Sequence, residues 1–169
     1  MILYTATKDL HHACEQHPVG QRMANGAVTA QEWADWLAAF RMLHDVIDMT
    51  LPAHMSRDLV LSADLSVLPR ARTSAAARRF SISLLGHESI GAAYVLHGAH
   101  RSGGRVMAPK MAKRGFPTLH TCYRDPEAVK TWIDSVRDRA DMAKQARDTF
   151  GCLLAVMDEI EGRRDGNYP

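Results

Sequence analysis

Apolar residues recur along this chain at the three- and four-residue spacing of amphipathic helices. No stretch alternates apolar and polar residues in the manner of a half-buried strand. The clearest helix follows Thr29, which forms a capping box with Glu32. The apolar residues of that helix share one face, and they are Trp33, Trp36, Leu37, Phe40, Leu43 and Ile47. The pattern predicts an all-α protein without internal repeats.

Capping and helix-breaking residues place the remaining helices. Pro18 should restart the chain after a first helix, Gly26 should end the next segment, and Asp125 should cap a later helix. The predicted helices cover residues 4–15, 18–26, 53–63, 70–84, 88–107 and 126–161, the last with a break near 137–140. The apolar face of the last helix comprises Phe150, Leu153, Leu154, Met157 and Ile160. We expect one helical domain over 1–162 and a disordered tail over 163–169.

The predicted helix over 88–107 contains three glycines within seven residues, namely Gly98, Gly103 and Gly104. Each glycine destabilises a helix interior by about 1 kcal/mol relative to alanine. Such a run indicates that the backbone must approach something closely. A planar cofactor on the helix and tight helix–helix packing explain the run equally well.

Composition narrows the class of protein. The chain has 169 residues and a formal net charge of +2, which suits one domain without a strong attraction to nucleic acid or membranes. Its three cysteines form no CxxC pair, which is typical of a reducing compartment. No segment has the roughly 18 apolar residues of a membrane span, and the N-terminus lacks the pattern of a signal peptide. We therefore expect a cytoplasmic protein.

Two further features suggest ligand chemistry. His11 and Glu15 lie four residues apart, so they share a helix face, where a carboxylate can orient a metal-binding imidazole. An ordinary surface pair has the same spacing. Scattered basic residues are candidates for binding the carboxylates of an otherwise apolar ligand, or for solvated helix faces, and they are Lys8, Lys130, Arg137 and Arg139.

Residues 6–15 and 94–104, taken in this order, resemble the haem oxygenase family. The first segment is similar to the family's opening helix, in which a histidine followed four residues later by glutamate is the proximal iron ligand. The second is similar to the distal helix, which ends in a glycine pair. The resemblance covers most of the chain, whereas residues 56–86 match poorly and look shortened.

The resemblance implies roles for individual residues. His11 corresponds to the axial iron ligand, with Glu15 as its companion on the same helix. Gly103 and Gly104 correspond to the glycines of the distal wall. The residues aligned with the remaining haem contacts are Lys8, Tyr94, Ala99, Lys130 and Phe150, of which Lys8, Tyr94 and Lys130 would bind the propionates.

The distal segment departs from the family pattern. Ala99 replaces a glycine, and His100 replaces the aspartate that many members use to hold distal water. In an alternative alignment the chain has one extra residue before Gly103, which would bulge the helix or rotate its downstream face. His100, or His97 one turn earlier, would then either organise water or bind iron as a sixth ligand.

The function implied by the resemblance is a monooxygenase that converts haem to biliverdin, carbon monoxide and ferrous iron. It would use dioxygen and electrons from a ferredoxin or flavoprotein reductase, because the chain has no phosphate-binding glycine loop of its own. Two alternatives stay open. One is a non-catalytic haem-binding or sensing protein. The other is a protein of the same fold with a different site, such as a cofactor-salvage hydrolase or a non-haem metal enzyme, whose candidate ligands are His44, Asp45, Asp48, His87 and Glu88.

Overall fold

The computed structural model describes residues 1–166, and within them the chain is helical without a β-strand. The helices are α1 (Ile2–Gln16), α2 (Pro18–Asn25), α3 (Ala30–Ile47), α4 (Asp58–Leu65), α5 (Ala75–Leu84), α6 (Ile90–Gly98), α7 (Gly104–Lys113), α8 (Pro126–Val136) and α9 (Ala143–Arg164). Short 3-10 turns occur at Asp48–Thr50, Ala53–Met55, Leu119–Thr121 and Ala140–Met142. The all-α class predicted from the sequence is confirmed.

The capping residues act where the sequence places them. Pro18 is the first residue of α2, and Gly26 ends α2 in the left-handed conformation with φ 70°. Thr29 and Glu32 form both hydrogen bonds of the capping box at the start of α3. Asp125 accepts a hydrogen bond from the backbone of Ala128 at the start of α8. These local signals set helix boundaries at the positions predicted from the sequence.

Helices α3 and α9 carry most of the core. The predicted apolar face of α3 is buried throughout, and α3 packs against α4, α5 and α9. Helix α9 packs against α1, α5 and α6 through its own buried face, which includes Leu153, Val156 and Ile160. The two helices thereby join the N-terminal and C-terminal halves of the chain.

Two helices differ from their predicted bounds because side chains distant in sequence hold the chain in other conformations. Residues 70–74, predicted as helix, precede α5, and the Arg72 backbone N–H donates to Asp35 Oδ1 at 2.7 Å. The predicted helix over 53–63 splits into a 3-10 turn and α4, and the backbone N–H of Arg57 donates to Asp48 Oδ2 at 2.7 Å. Neither contact is visible in local sequence patterns.

The predicted helix over 88–107 is divided into three parts. Helix α6 ends at Gly98, a π-helical turn spans Ala99–Gly103, and α7 continues to Lys113. A π-helical turn accommodates one extra residue within a helix and rotates the residues that follow it. The bulge expected from the extra residue before Gly103 is therefore present.

The C-terminal helix is longer than predicted. Helix α9 extends to Arg164, so the first two residues of the predicted tail belong to it, and Arg163 is anchored by a contact with Asp35 at 3.4 Å. The last residues of that predicted tail, 167–169, lie outside the described residues.

Within residues 1–166, no helix is both long enough and apolar enough to cross a membrane.

Candidate functional site

A cavity of about 660 Å³ lies between α1 and α2 on one side and the α6–α7 segment on the other. Its volume falls within the range of small-molecule and cofactor sites. The lining is mostly apolar, and its larger members include Met23, Trp36, Phe40, Val95, Leu153 and Met157. Residues of α3, α8 and α9 complete the wall.

One face of α1 forms the first wall of the cavity. Tyr4, Thr7, His11 and Cys14 line it at the helical spacing of three and four residues, and Glu15 lies beside them. His11 Nδ1 lies 3.6 Å from Glu15 Oε1, and both side chains are about half exposed. The edge of the His11 ring packs against Phe150 of α9, with ring centroids 5.8 Å apart. The structure thus brings His11, Glu15 and Phe150 together at the cavity.

The glycines of the opposite wall divide into two kinds. Gly98 and Gly103 line the cavity, and a Cβ built at Gly98 would meet no atom within 4 Å. A Cβ at Gly103 would meet Met107 Cε at 3.6 Å, an ordinary contact. Gly104 instead lies against Thr121, whose Cβ would be 2.8 Å from an added Cβ. Tight packing therefore explains Gly104, whereas Gly98 and Gly103 face the cavity.

The polar groups at the cavity differ in part from those predicted. Tyr94 lines it, and burial raises the pKa of the Tyr94 phenol. Lys8 and Lys130 are exposed and do not line the cavity, and the Lys130 ammonium is paired with Asp134 at 2.5 Å. Their proposed contact with ligand carboxylates stays a prediction.

Arg101 is a cavity residue that the sequence analysis missed. It lines the cavity together with Ser102, and its buried Nε has no hydrogen-bond partner among the described residues. Its position three residues after Gly98 and seven after Tyr94 was the available signal. The other basic candidates are paired, Arg137 with Asp134 at 3.1 Å and Arg139 with Asp141 at 2.7 Å.

The structure corrects the expected position of His100. Ala99 and Gly103 line the cavity, but His100 and His97 do not, because both rings lie buried on the other side of the π-helical turn. Among the described residues that line the cavity, His11 is the single histidine. A sixth iron ligand from His100 or His97 would require this segment to rearrange.

His97 and His100 belong to a buried histidine cluster, defined here as His44, His97, His100 and His120. His44 bridges Asp48 and His100 through hydrogen bonds of 2.9 Å at each ring nitrogen. His97 Nδ1 lies 2.8 Å from the Tyr123 hydroxyl, and His120 Nδ1 lies 2.6 Å from Asp64 Oδ2.

Burial lowers the pKa of His97 and His100 well below the ordinary histidine value, and the neighbouring His44 lowers both further. Both imidazoles are therefore neutral at pH 7. Of the non-haem ligand candidates from sequence, only His44 and Asp48 meet in this cluster. His87 and Asp45 are exposed, and Glu88 pairs with Arg139 at 3.3 Å.

The cysteine nearest the cavity is not a thiolate ligand at neutral pH. Burial, together with the charge of Glu15, raises the pKa of Cys14 to about 12. The thiol is thus protonated, whereas metals and electrophiles react with the thiolate. Cys14 is therefore not a metal ligand there, which leaves His11 and Glu15 as the candidate ligands on the α1 wall.

The all-helical architecture with this cavity matches a known fold, that of a haem oxygenase. The structure is similar to the crystal structure of haem oxygenase-1 from the cyanobacterium Synechocystis sp. PCC6803 in complex with haem. The TM-score is 0.77 over 97% of this chain and 92% of that chain, at 16% sequence identity. Neither a family model nor a curated protein sequence matches the chain. The comparison shows the fold.

Proposed function

We propose that this protein binds haem in the cavity and degrades it to biliverdin, carbon monoxide and ferrous iron. One observation carries the proposal, namely that His11 lines the same cavity as two glycines, where a Cβ would meet no atom at Gly98 and only Met107 Cε at Gly103. A planar ligand needs a flat wall, and Gly98 and Gly103 supply one. The resemblance to a haem-complexed oxygenase supports the same assignment.

His11 would bind the haem iron. Its Nδ1 lies 3.6 Å from Glu15 Oε1, so the carboxylate would orient the ring and leave Nε2 to bind the iron. Packing against Phe150 restricts the ring further. Both neighbours come from positions that the sequence had singled out.

Arg101 and Tyr94 would hold the carboxylates of the ligand. A guanidinium is a strong partner for a carboxylate, and the unpartnered Nε of Arg101 provides a free donor. The Tyr94 hydroxyl provides a second donor on the same wall of the cavity. These residues are better placed for this role than Lys8 and Lys130.

The remaining side chains of the cavity are mostly apolar, and Ser102 adds one small polar group to the lining. The apolar side chains exclude bulk solvent, while the Ser102 hydroxyl can donate or accept a hydrogen bond there. Haem, when bound, would supply the redox centre for dioxygen activation and would itself be the substrate. Electrons would come from a ferredoxin or flavoprotein reductase.

The positions of the other histidines favour a haem-degrading enzyme over a non-catalytic haem-binding or sensing protein. A low-spin, two-histidine centre needs a second imidazole at the cavity, and the described lining offers none besides His11. Without a second imidazole on the described lining, a small substrate such as dioxygen would meet no competing histidine ligand there. This observation supports the oxygenase over the non-catalytic haem-binding protein.

A haemin titration of the purified protein tests the proposal, followed by ascorbate or a ferredoxin reductase system. We expect a Soret band that saturates at one haem per chain and then decays to a biliverdin-like absorption. His11→Ala should lose the normal axial ligation and the decay. His12→Ala is the matched control, because His12 is adjacent, exposed and outside the cavity lining.

Three results would contradict parts of this assignment. An unchanged haem spectrum in His11→Ala would remove His11 as the ligand. Stable binding without decay in the unmodified protein would indicate a haem-binding protein. Absence of saturable binding would show that the fold serves another purpose.

A further inference from the structure

We propose that His44, Asp48 and His97 form a second site, for a divalent transition-metal cation, that is separate from the cavity. His44 and Asp48 lie at and just after the C-terminal end of α3, and His97 lies on α6. None of the three lines the cavity. The site does not rest on the proposed haem chemistry, and it would join two helices that surround the cavity.

The three side chains converge on one point. Each offers one ligand atom, and these atoms all lie within 4.8 Å of one another. His44 Nδ1 is 2.9 Å from Asp48 Oδ1, which is 4.0 Å from His97 Nε2. Ligand atoms bound at about 2.0–2.2 Å from a common metal lie at most about 4.4 Å apart, so the side chains would move slightly closer together to complete the site.

An orphaned nitrogen points to a missing ligand. His97 Nε2 is buried and has no hydrogen-bond partner within residues 1–166, and the His97 side chain is 0% exposed. Leaving a buried polar atom unsatisfied is unfavourable. A metal ion at this point would bind that nitrogen, and Asp48 would supply the negative charge that the ion needs.

The groups around the three residues suit metal ligation. His97 Nδ1 would carry the ring proton and donate a hydrogen bond to the Tyr123 hydroxyl, 2.8 Å away. With His44 bound through Nδ1, its Nε2–H would donate to His100 Nε2 at 2.9 Å. Metal-bound imidazoles commonly donate their second ring N–H in this way, which fixes the tautomer and the ring orientation.

Asp48 is also oriented by its surroundings. Its Oδ2 accepts the Arg57 backbone N–H at 2.7 Å, leaving Oδ1 toward the histidines. The Arg57 guanidinium opposes the charge of a bound dication. That guanidinium is itself held by the Cys122 carbonyl at 2.7 Å and lies over the Tyr123 ring at 3.9 Å. The negative charge of the Asp48 carboxylate offsets part of the positive charge of the Arg57 guanidinium.

The donor set selects the class of cation. Two imidazoles and one carboxylate are ligands of Zn²⁺ and of non-haem Fe²⁺, whereas Ca²⁺ and Mg²⁺ prefer oxygen-rich sites. Three protein ligands leave at least one position for water. Because His44 and His97 are fully buried and Asp48 is nearly so, exchange with solvent should be slow and the ion should stabilise the fold.

Metal titration of the haem-free, chelator-treated full-length chain tests the site. Co²⁺ serves as the spectroscopic probe through its d–d absorption, and Zn²⁺ is measured by competition with a chromophoric chelator. We expect one equivalent to bind and to raise the unfolding midpoint. His97→Gln should weaken binding by more than about 100-fold. His12→Gln is the control for surface binding near Glu15 and should bind one equivalent normally.

Asp48→Asn provides an independent variant in case His97→Gln impairs folding. It keeps the shape of the side chain but removes its negative charge. Circular dichroism confirms that each variant is folded. Failure of the unmodified chain to bind one equivalent would overturn the proposal. So would equal affinity in the unmodified chain and in a folded Asp48→Asn or His97→Gln variant.

Discussion

At the scale of single residues, the glycines of the α6–α7 segment perform different tasks. Gly98 leaves open space along the cavity and Gly103 faces it with only Met107 nearby, whereas Gly104 allows the backbone to approach Thr121. The sequence could show that three glycines weaken this helix, but it could not assign a reason to each. Neighbouring atoms that are distant in sequence decide the assignment.

Alanine substitutions should separate these tasks. Gly98→Ala should stabilise the haem-free protein by about 0.4–1 kcal/mol, because the helical backbone accepts a Cβ that meets nothing and the unfolded chain loses freedom. The same methyl group should weaken haem binding by occupying the cavity wall. Gly104→Ala should destabilise the protein by about 1–3 kcal/mol through the clash with Thr121.

Urea unfolding and haemin titration of both variants measure these effects. Opposite signs for stability and haem affinity in Gly98→Ala are the expected signature of a ligand-facing glycine. Equal losses of stability in the two variants would show that both glycines serve packing alone.

At the scale of elements, the π-helical turn decides which side chains reach the cavity. It places Ala99, Arg101, Ser102 and Gly103 along the cavity and leaves His100 in the buried histidine cluster. A regular helix through the same residues would present a different face downstream. The turn therefore determines the chemistry of this wall as well as its shape.

His100→Ala should leave the ligation and spin state of bound haem unchanged, because the ring is absent from the cavity lining. The variant should lose about 1–3 kcal/mol of stability, since His44 Nε2 loses its buried partner. Visible absorption of the ferric complex and urea unfolding measure the two effects. A change from low-spin to high-spin haem in this variant would instead identify His100 as an iron ligand.

The sequence predicted elements well where the signal is local. The Thr29 capping box, the Gly26 end of α2 and the Asp125 cap all occur as expected. His11 and Phe150 were also placed at the cavity by the family resemblance. The alternative alignment with an extra residue before Gly103 indicated a bulge or a rotation in this segment. The direction in which the His100 ring points could not be predicted, because it depends on α3 packing behind the segment.

The contacts of charged side chains were the hardest feature to predict from the sequence. Lysine and arginine side chains are long, so their contacts depend on which acidic partners the fold brings near. Lys130 is neutralised on its own helix by Asp134, while Arg101 keeps a buried Nε without a partner. His97 joined His44 and Asp48 only through the packing of α6 against α3.

At the scale of the whole molecule, α9 connects the helices of the bundle through polar contacts as well as through its apolar face. Its last turn reaches α3 and the loop before α5 through Arg163, whose side chain is 8% exposed. Asp35, nearly fully buried, accepts this guanidinium at 3.4 Å and also binds Arg72 at 2.8 Å. Earlier on α9, Glu159 accepts the backbone N–H of Ala76 at the start of α5.

These contacts make the end of α9 a structural part of the domain. Arg163→Ala should destabilise the protein by about 1–2 kcal/mol, because Asp35 loses one of its two guanidinium partners and the Thr73 carbonyl loses a donor. Arg164→Ala is the matched control, since Arg164 is exposed on the same turn and should change stability by less than about 0.5 kcal/mol. Urea unfolding of both variants gives the comparison. Equal stability in the two would mean that residues from 163 onward behave as the tail that the sequence pattern predicted, and that the bundle closes without them.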